Sequence, residues 1–331
     1  MSYSAPETPS AQRPERPTAR PSERVQIFAL PTRTMYGSLR FSWLSYLGHA
    51  EQQHAAQLPT STAAVSYLST QALMRAMAAA RLDVPSSAAS EIEVDRSCTL
   101  CTSGKKHGKP RIAGVNFNMS QVNPLVVGAF SRNSSAVLGV DVETLDARLF
   151  SGFARLALSN EERTFYERVA QERPAPVLHL LSVALWTAKE AVLKATGHGL
   201  SVVPSLVRVQ LTDDLLDAIE LAINEEAPGD LLGSNTPEPT ALRVLTQDSL
   251  TTQATFSAPR AGIQGGGDAI ERSFSLQWVP VALPDAENPE HSQKMLIALA
   301  VENPAEGDPA QLEVELLPVA TPLELKRLLT D

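Results

Sequence analysis

Residues 186–200 read WTAKEAVLKATGHGL, an apolar helical stretch that also carries Lys189, Glu190 and Lys194 and closes on two glycines. Apolar and helix-forming residues run from Val177 to Thr196 and predict a helix of about twenty residues. Gly197 and Gly199 suit its C-terminal end, where the chain needs positive φ. Glu190 and Lys194 are four apart and share a face. Alone, they read as a solvated Glu–Lys pair. What they do depends on what the rest of the chain brings to that face.

Upstream, AVLGVDVET (136–144) has the pattern of a buried strand. Alternation points Asp141 and Glu143 to one side and Val140 and Val142 to the other. Two neighbouring carboxylates at the end of such a strand repel each other unless a cation lies between them, and hard oxygen ligands suit Mg²⁺. A strand end emerging into solvent explains the same pattern when it is read by itself. A third carboxylate from Glu190 would complete a Mg²⁺ site with positions left for phosphate and water.

Working outward, AGVNFNMS (113–120) and NPLVVGAFS (123–131) are strand-like, as are VQIFAL (25–30), LVRVQL (206–211), SFSLQWVPVAL (273–283) and KMLIALAVE (294–302). Helix formers at helical spacing fill 61–82, with Ser61 or Thr62 as cap and Val84-Pro85 as stop. SNEER (159–163) reads as a capping box, Ser159 with Glu162. A short helix is expected near PLELKRLL (322–329). Residues 1–24, rich in Pro, Ser and Arg, read as a disordered tail. Residues 224–272 turn to Gly, Pro, Ser, Thr and acids and read as a flexible insertion.

The bulk numbers narrow the classes. The chain has 331 residues, 43% hydrophobic and 20% charged, as in a globular protein. No run approaches eighteen apolar residues, so no membrane span is expected. The N-terminal stretch lacks the apolar core of a secretory signal, which makes the cytoplasm the expected location. A net charge of −9 argues against nonspecific nucleic-acid binding. Two cysteines fit a reducing compartment. Cys98 and Cys101, followed by His107, have zinc-like spacing, but a structural zinc takes four ligands. A zinc site and a pair of neighbouring thiols both stay open.

Taken together, the strand and the helix resemble the signature of the 4′-phosphopantetheinyl transferase superfamily, of the surfactin-synthetase-activating (Sfp) type. Gly139, Val140, Asp141, Trp186, Thr187, Lys189, Glu190, Ala191 and Lys194 fit it, with 44 residues between Asp141 and Trp186. HGKPRI (107–112), FNMS (117–120), LSNEER (158–163) and GHGL (197–200) resemble further family segments in the same order. The resemblance covers roughly residues 62–210.

The resemblance implies an α/β (α+β) fold with two halves related by a pseudo-twofold and a coenzyme A cleft between them. The first half would be 25–135; the second, 136–223 plus 273–331, would carry the metal and catalytic motifs. It implies a Mg²⁺-dependent transfer of the phosphopantetheine arm of coenzyme A to a serine of an apo acyl, peptidyl or polyketide carrier protein, with release of 3′,5′-ADP. Asp141, Glu143 and Glu190 would hold the metal. Glu190 would take the serine proton, and Lys194 would offset charge on the leaving phosphate. Lys189, Arg75, Lys109, Pro110, Ser120 and Gln121 would face coenzyme A. A chain with both halves is expected to act as a monomer.

Some positions depart from the family pattern. Gln121 stands where the family has a phosphate-contacting His, Val122 where it has a second Ser, and Ser66 where it has an Arg. Glutamine donates a hydrogen bond but brings no charge. Losing one charged contact costs about 1.5–3 kcal/mol. These departures motivate an alternative, a catalytically weakened coenzyme A or carrier-protein binding protein on the same fold. Arg40, Arg75, Arg111 and His198 are the candidates to compensate.

Overall fold

The computed structural model describes residues 22–97, 108–224, 242–246, 248–258, 270–284, 291–306, 308–309 and 311–330. The chain begins with β1 (Ser22–Pro31) and three helices, α1 (Arg40–Leu44), α2 (His49–Ala56) and α3 (Ser61–Leu82). Strands β2 (Asn116–Val122), β3 (Leu125–Ser131) and β4 (Leu138–Thr144) follow. Next come α4 (Phe153–Ala157), α5 (Asn160–Glu172), α6 (Ala175–Thr196), β5 (Val207–Val209) and α7 (Asp213–Asn224). The remainder is β6 (Arg243–Val244), β7 (Leu250–Ala258), β8 (Ile270–Pro284), β9 (Ser292–Glu302), β10 (Gln311–Pro318) and α8 (Pro322–Thr330).

The protein is a mixed α/β structure built on two sheets. One has the order β10-β1-β3-β2, with β1 and β10 parallel and the other pairs antiparallel. The other has the order β4-β9-β8-β7-β5, all antiparallel, with β6 paired to β8. Alternation gives each sheet two apolar faces. Val25, Ile27 and Val127 meet Val140, Val142, Val281 and Ile297 between the sheets. Phe28, Leu30, Val126 and Phe130 point to the opposite face, where α3 and α8 cover them. On the far side of the second sheet, Phe274, Leu276, Trp278 and Ala298 pack against α6. Helix α6 is long and apolar enough to span a bilayer by length and composition, but most of that stretch lies inside the protein.

The capping expectations resolve locally. Ser159 accepts from the Glu162 amide and Glu162 Oε2 from the Ser159 amide, which closes the box that starts α5. Helix α6 begins just after Pro174 and ends at Gly197, whose φ is 78°. For α3 the cap is Thr60, one residue before the expected pair, because its extended backbone lets Oγ1 accept from the Ala63 amide.

Other expectations need correcting. Residues 1–21 lie outside the described residues, but Ser22–Arg24, assigned to the tail, pair with Gln311–Glu313 as the start of β1. Residues 311–330, expected in the second half, join the first sheet instead. There β10 covers the open hydrogen-bonding edge of β1 and α8 packs on α3. Within 224–272, β6 and β7 belong to the second sheet, and Leu250, Ala254 and Phe256 are buried by two-residue alternation. The rest of that stretch up to residue 269, apart from 224, 242, 245, 246, 248 and 249, lies outside the described residues, as do Cys98, Cys101 and His107. Helix α7 was not expected; Leu216, Ile219, Ala222 and Ile223 form its buried stripe.

Candidate active site

Gly139 sets the distance between the two signature segments. A Cβ there would overlap the Ala191 carbonyl oxygen and the Ala195 amide nitrogen, so only glycine lets β4 lie this close to α6. On the same strand face, Asp141 and Glu143 then meet the Glu190 and Lys194 side of the helix. Trp186, Glu190 and Lys194 recur every four residues and line one pocket with both acids.

Strand β2 closes the other side. Asn118 Oδ1 accepts from the Val140 amide at 3.0 Å, and Ser120 Oγ donates to Asp141 Oδ1 at 2.8 Å. Lys194 Nζ donates to Ser120 Oγ at 2.8 Å and to Asp141 Oδ1 at 2.6 Å. Gln121 also borders this pocket of about 380 Å³. Its side-chain amide is hydrogen bonded to Thr70 Oγ1, which also bonds the Ser66 carbonyl.

A larger cleft of about 580 Å³ adjoins it, sharing Thr70, Met119, Lys194 and Leu200. Arg96, Lys109 and His198 line this cleft with Pro110. An isolated bridge between Asp95 and Arg111 and a 2.9 Å bond from the Gly108 amide to the Arg96 carbonyl hold its rim. Lys109 Nζ donates to the Leu138 carbonyl at 2.9 Å. Burial, then Arg272 and Arg111, lower its pKa to about 8.

Electrostatically, the smaller pocket is overloaded with acid. Burial pushes the Asp141 carboxyl up, partly offset by Lys194, Ser120 and the Val142 amide. Burial and then Asp141 raise Glu143, against a hydrogen bond from Trp186. Glu190 is raised to about 7 by burial first, then by Asp141, with Lys194 opposing and Glu143 adding. As they stand, no three His, Cys, Asp or Glu side chains among the described residues are gathered into a metal cluster. The ammonium of Lys194 holds Asp141 Oδ1 instead. Two buried carboxylate oxygens of this pocket nevertheless have no partner among the described residues, Asp141 Oδ2 and Glu190 Oε1. Three carboxylates against one ammonium, with two orphaned hard donors, fit a divalent cation such as Mg²⁺.

Two residues expected to face coenzyme A line neither cavity. Lys189 is fully buried on another side of α6, paired with Glu162 at 2.7 Å and bonded to the Val207 carbonyl. Burial lowers its pKa, and Glu162 counters this. One residue from Glu190, it is turned about 100° around the helix, away from the pocket. Arg75 pairs with Glu51 at 2.7 Å and donates to the Ala89 and Ile92 carbonyls, so it braces α3 rather than facing the cleft. Of the compensating candidates, Arg111 is paired with Asp95, Arg40 lies over the Phe41 ring, and only His198 lines the cleft.

Sequence reading missed Arg96 and Thr70, neither of which sits in a recognisable motif position, and gave Leu200, the last residue of GHGL, no role at the site. Loop closure or helix-face geometry brings each to the site.

Residues 137–237 match the sequence model of the 4′-phosphopantetheinyl transferase superfamily. The segment carrying β4, α5 and α6 is thus similar to that superfamily. The chain is also 30% identical over 125 residues to the 4′-phosphopantetheinyl transferase psf-1 of Bacillus pumilus, covering 37% of this chain and 50% of that protein. It therefore spans about half the length of this curated relative.

Proposed function

We propose that the protein is a 4′-phosphopantetheinyl transferase that moves the phosphopantetheine arm of coenzyme A to a serine of an apo carrier protein. The observation that carries this reading is the pair of orphaned oxygens on Asp141 and Glu190, which face one acid-lined pocket beside a cleft with cationic walls. Asp141, Glu143 and Glu190 would hold Mg²⁺, which supplies charge neutralisation at the pyrophosphate. Glu190, raised to about 7 by burial and by Asp141 in the metal-free pocket, suits a general base. It accepts the proton as the serine oxygen bonds to the β-phosphorus and the bond to the bridging oxygen breaks, releasing 3′,5′-ADP. Lys194 stabilises the charge that develops on the leaving phosphate. Lys109, Pro110, Arg96 and His198 would contact coenzyme A. Two halves related by a pseudo-twofold, a monomeric state and a cytoplasmic location belong to the same reading.

The test is incubation with Mg²⁺, coenzyme A and several apo carrier proteins, with mass spectrometry for the phosphopantetheine increment. No increment beside an active control refutes the reading. Gln121, neutral and tied to Thr70, favours a second reading, a protein that binds coenzyme A or a carrier protein without efficient transfer. Calorimetric coenzyme A binding with no turnover would support that alternative.

A further inference from the structure

We propose that a second ligand site lies between the two sheets, beside Gln277, and that it takes a small apolar molecule with an amino head. The inference stands apart from the transferase reading, because this pocket shares no lining residue with the acid pocket or the cleft.

Strand β8 alternates across its sheet. Phe274, Leu276 and Trp278 turn toward α6, where the Trp278 indole donates to the Ala184 carbonyl. Val279, Val281 and Leu283 turn the other way and fill the layer between the sheets. The same alternation puts residue 277 in that layer, and there the chain has glutamine. Gln277 is only 8% exposed, and its Oε1 is buried with no hydrogen-bond partner among the described residues. A buried amide oxygen without a donor is costly, whereas an apolar residue of similar size would bury cleanly. The glutamine therefore marks a polar requirement that the fold itself does not meet.

Gln277 lines a pocket of about 300 Å³ between β8 and β10, a size that suits a small molecule. Val244, Val279, Pro280, Val314 and Leu316 form its apolar side. Val244, Val314 and Leu316 pack against the core between the sheets yet stay half-buried, so the sheets part here instead of closing on each other. Thr246, Asp248 and Ser249 join Gln277 on the polar side. The Asp248 amide donates to Thr246 Oγ1 at 3.0 Å, which ties the segment bearing Asp248 to the pocket. Asp248 is exposed, and among the described residues that line the pocket it is the one with a charge. An orphaned amide oxygen and a carboxylate both accept hydrogen bonds and donate none. Their complement is a molecule with an apolar body and a head that donates N–H groups and carries positive charge. An anion of the same shape would meet the Asp248 charge with no cation to offset it.

The experiment uses the full-length protein and three probes of one shape, benzylamine, benzyl alcohol and benzoate, followed by methyl NMR at Val244, Val314 and Leu316. Expected are saturable binding of benzylamine, weaker binding of the alcohol and none of benzoate. Gln277→Leu should bind benzylamine roughly tenfold more weakly while melting at or above the wild-type temperature, a combination that a merely structural glutamine would not give. Asp248→Asn should weaken benzylamine by roughly twofold to fivefold and leave the alcohol unchanged. If Gln277→Leu melts below the wild type, Asp248→Asn decides: the selective loss of benzylamine upholds the proposal, and unchanged binding overturns it. No saturable shift from any probe means that water alone fills the gap, and overturns it. Equal binding of all three probes, or undiminished benzylamine binding by a stable Gln277→Leu, overturns it too.

Discussion

Replacing Gly139 with alanine tests the packing that creates the site. The added Cβ would lie 2.9 Å from Ala195 Cα and closer still to the Ala191 carbonyl oxygen and the Ala195 amide. All three are backbone atoms, so no side chain can turn aside. Strand β4 is held by its pairing with β9 and by the Val140 and Val142 layer, which leaves α6 to move. Restoring ordinary carbon contacts requires a shift of roughly an ångström. Overpacking of this kind costs about 1–3 kcal/mol. Alanine restricts the unfolded chain and returns about 0.4–1 kcal/mol, leaving a net loss of up to about 2.6 kcal/mol. The shift also stretches the 2.6 Å contact between Lys194 and Asp141, and a displacement of this size costs roughly a hundredfold in rate. Urea denaturation reads the first effect and single-turnover transfer the second. A variant as stable as the wild type, with transfer within twofold, would refute the argument that Gly139 sets the spacing of the site.

Other perturbations separate structural charge from site charge. Lys189→Met strands the buried Glu162 carboxylate and should cost about 3–5 kcal/mol without changing coenzyme A affinity; weaker binding with an unchanged melting point contradicts this. Glu190→Gln should lower transfer by roughly 10²–10⁴-fold while circular dichroism stays native, and undiminished activity removes Glu190 from the proposed role. The Glu190 folded pKa of about 7 lies above its ordinary 4.5, so the folded state binds more protons between those values. Metal-free stability should therefore fall as pH rises through that window, and Glu190→Gln should flatten the slope. A thermal-melt series with the same slope in both proteins would count against it. Adding Mg²⁺ at pH 7.5 should raise the melting temperature of the wild type more than that of Asp141→Asn; an equal shift places the ion elsewhere.

Much of the site was legible because its chemistry rides on regular elements. Alternation along 138–144 puts Asp141 and Glu143 on one face, and i,i+4 spacing puts Glu190 beside Lys194. The capping box at Ser159 was readable for the same local reason. What failed is long-range or depends on rotation about an axis. Lys189 sits in the signature, but the turn of α6 sends it to Glu162 in the core. Arg75 lies on a readable helix, and its partner Glu51 comes from another one. Strand β10 joins β1 across nearly the whole chain, a pairing that no local pattern encodes. In 250–258 the alternation was present, yet the polar residues around it masked it: Thr251, Thr252, Gln253 and Thr255 intervene among Leu250, Ala254 and Phe256.

The cations are partitioned in a way that bears on the neutral Gln121 at the pocket. Lys189 and Arg75 are spent inside the protein, where each satisfies a carboxylate and backbone carbonyls. Among the described residues, those that reach the ligand space are Lys194 in the acid pocket and Arg96, Lys109 and His198 around the larger cleft. Lys109 and His198 both have pKa values pulled down by burial and by Arg272. A phosphate entering the cleft would reverse that pull, since an anion favours the charged form of each. Positive charge that Gln121 does not supply is thus available in the adjoining cleft, from groups that protonate more fully as the ligand arrives. Coenzyme A affinity should in consequence weaken as pH rises past 8, because Lys109 then has to gain a proton to bind. Lys109→Met should bind more weakly at neutral pH and lose that dependence, whereas a variant with the wild-type pH profile would show that the phosphates are held by other groups.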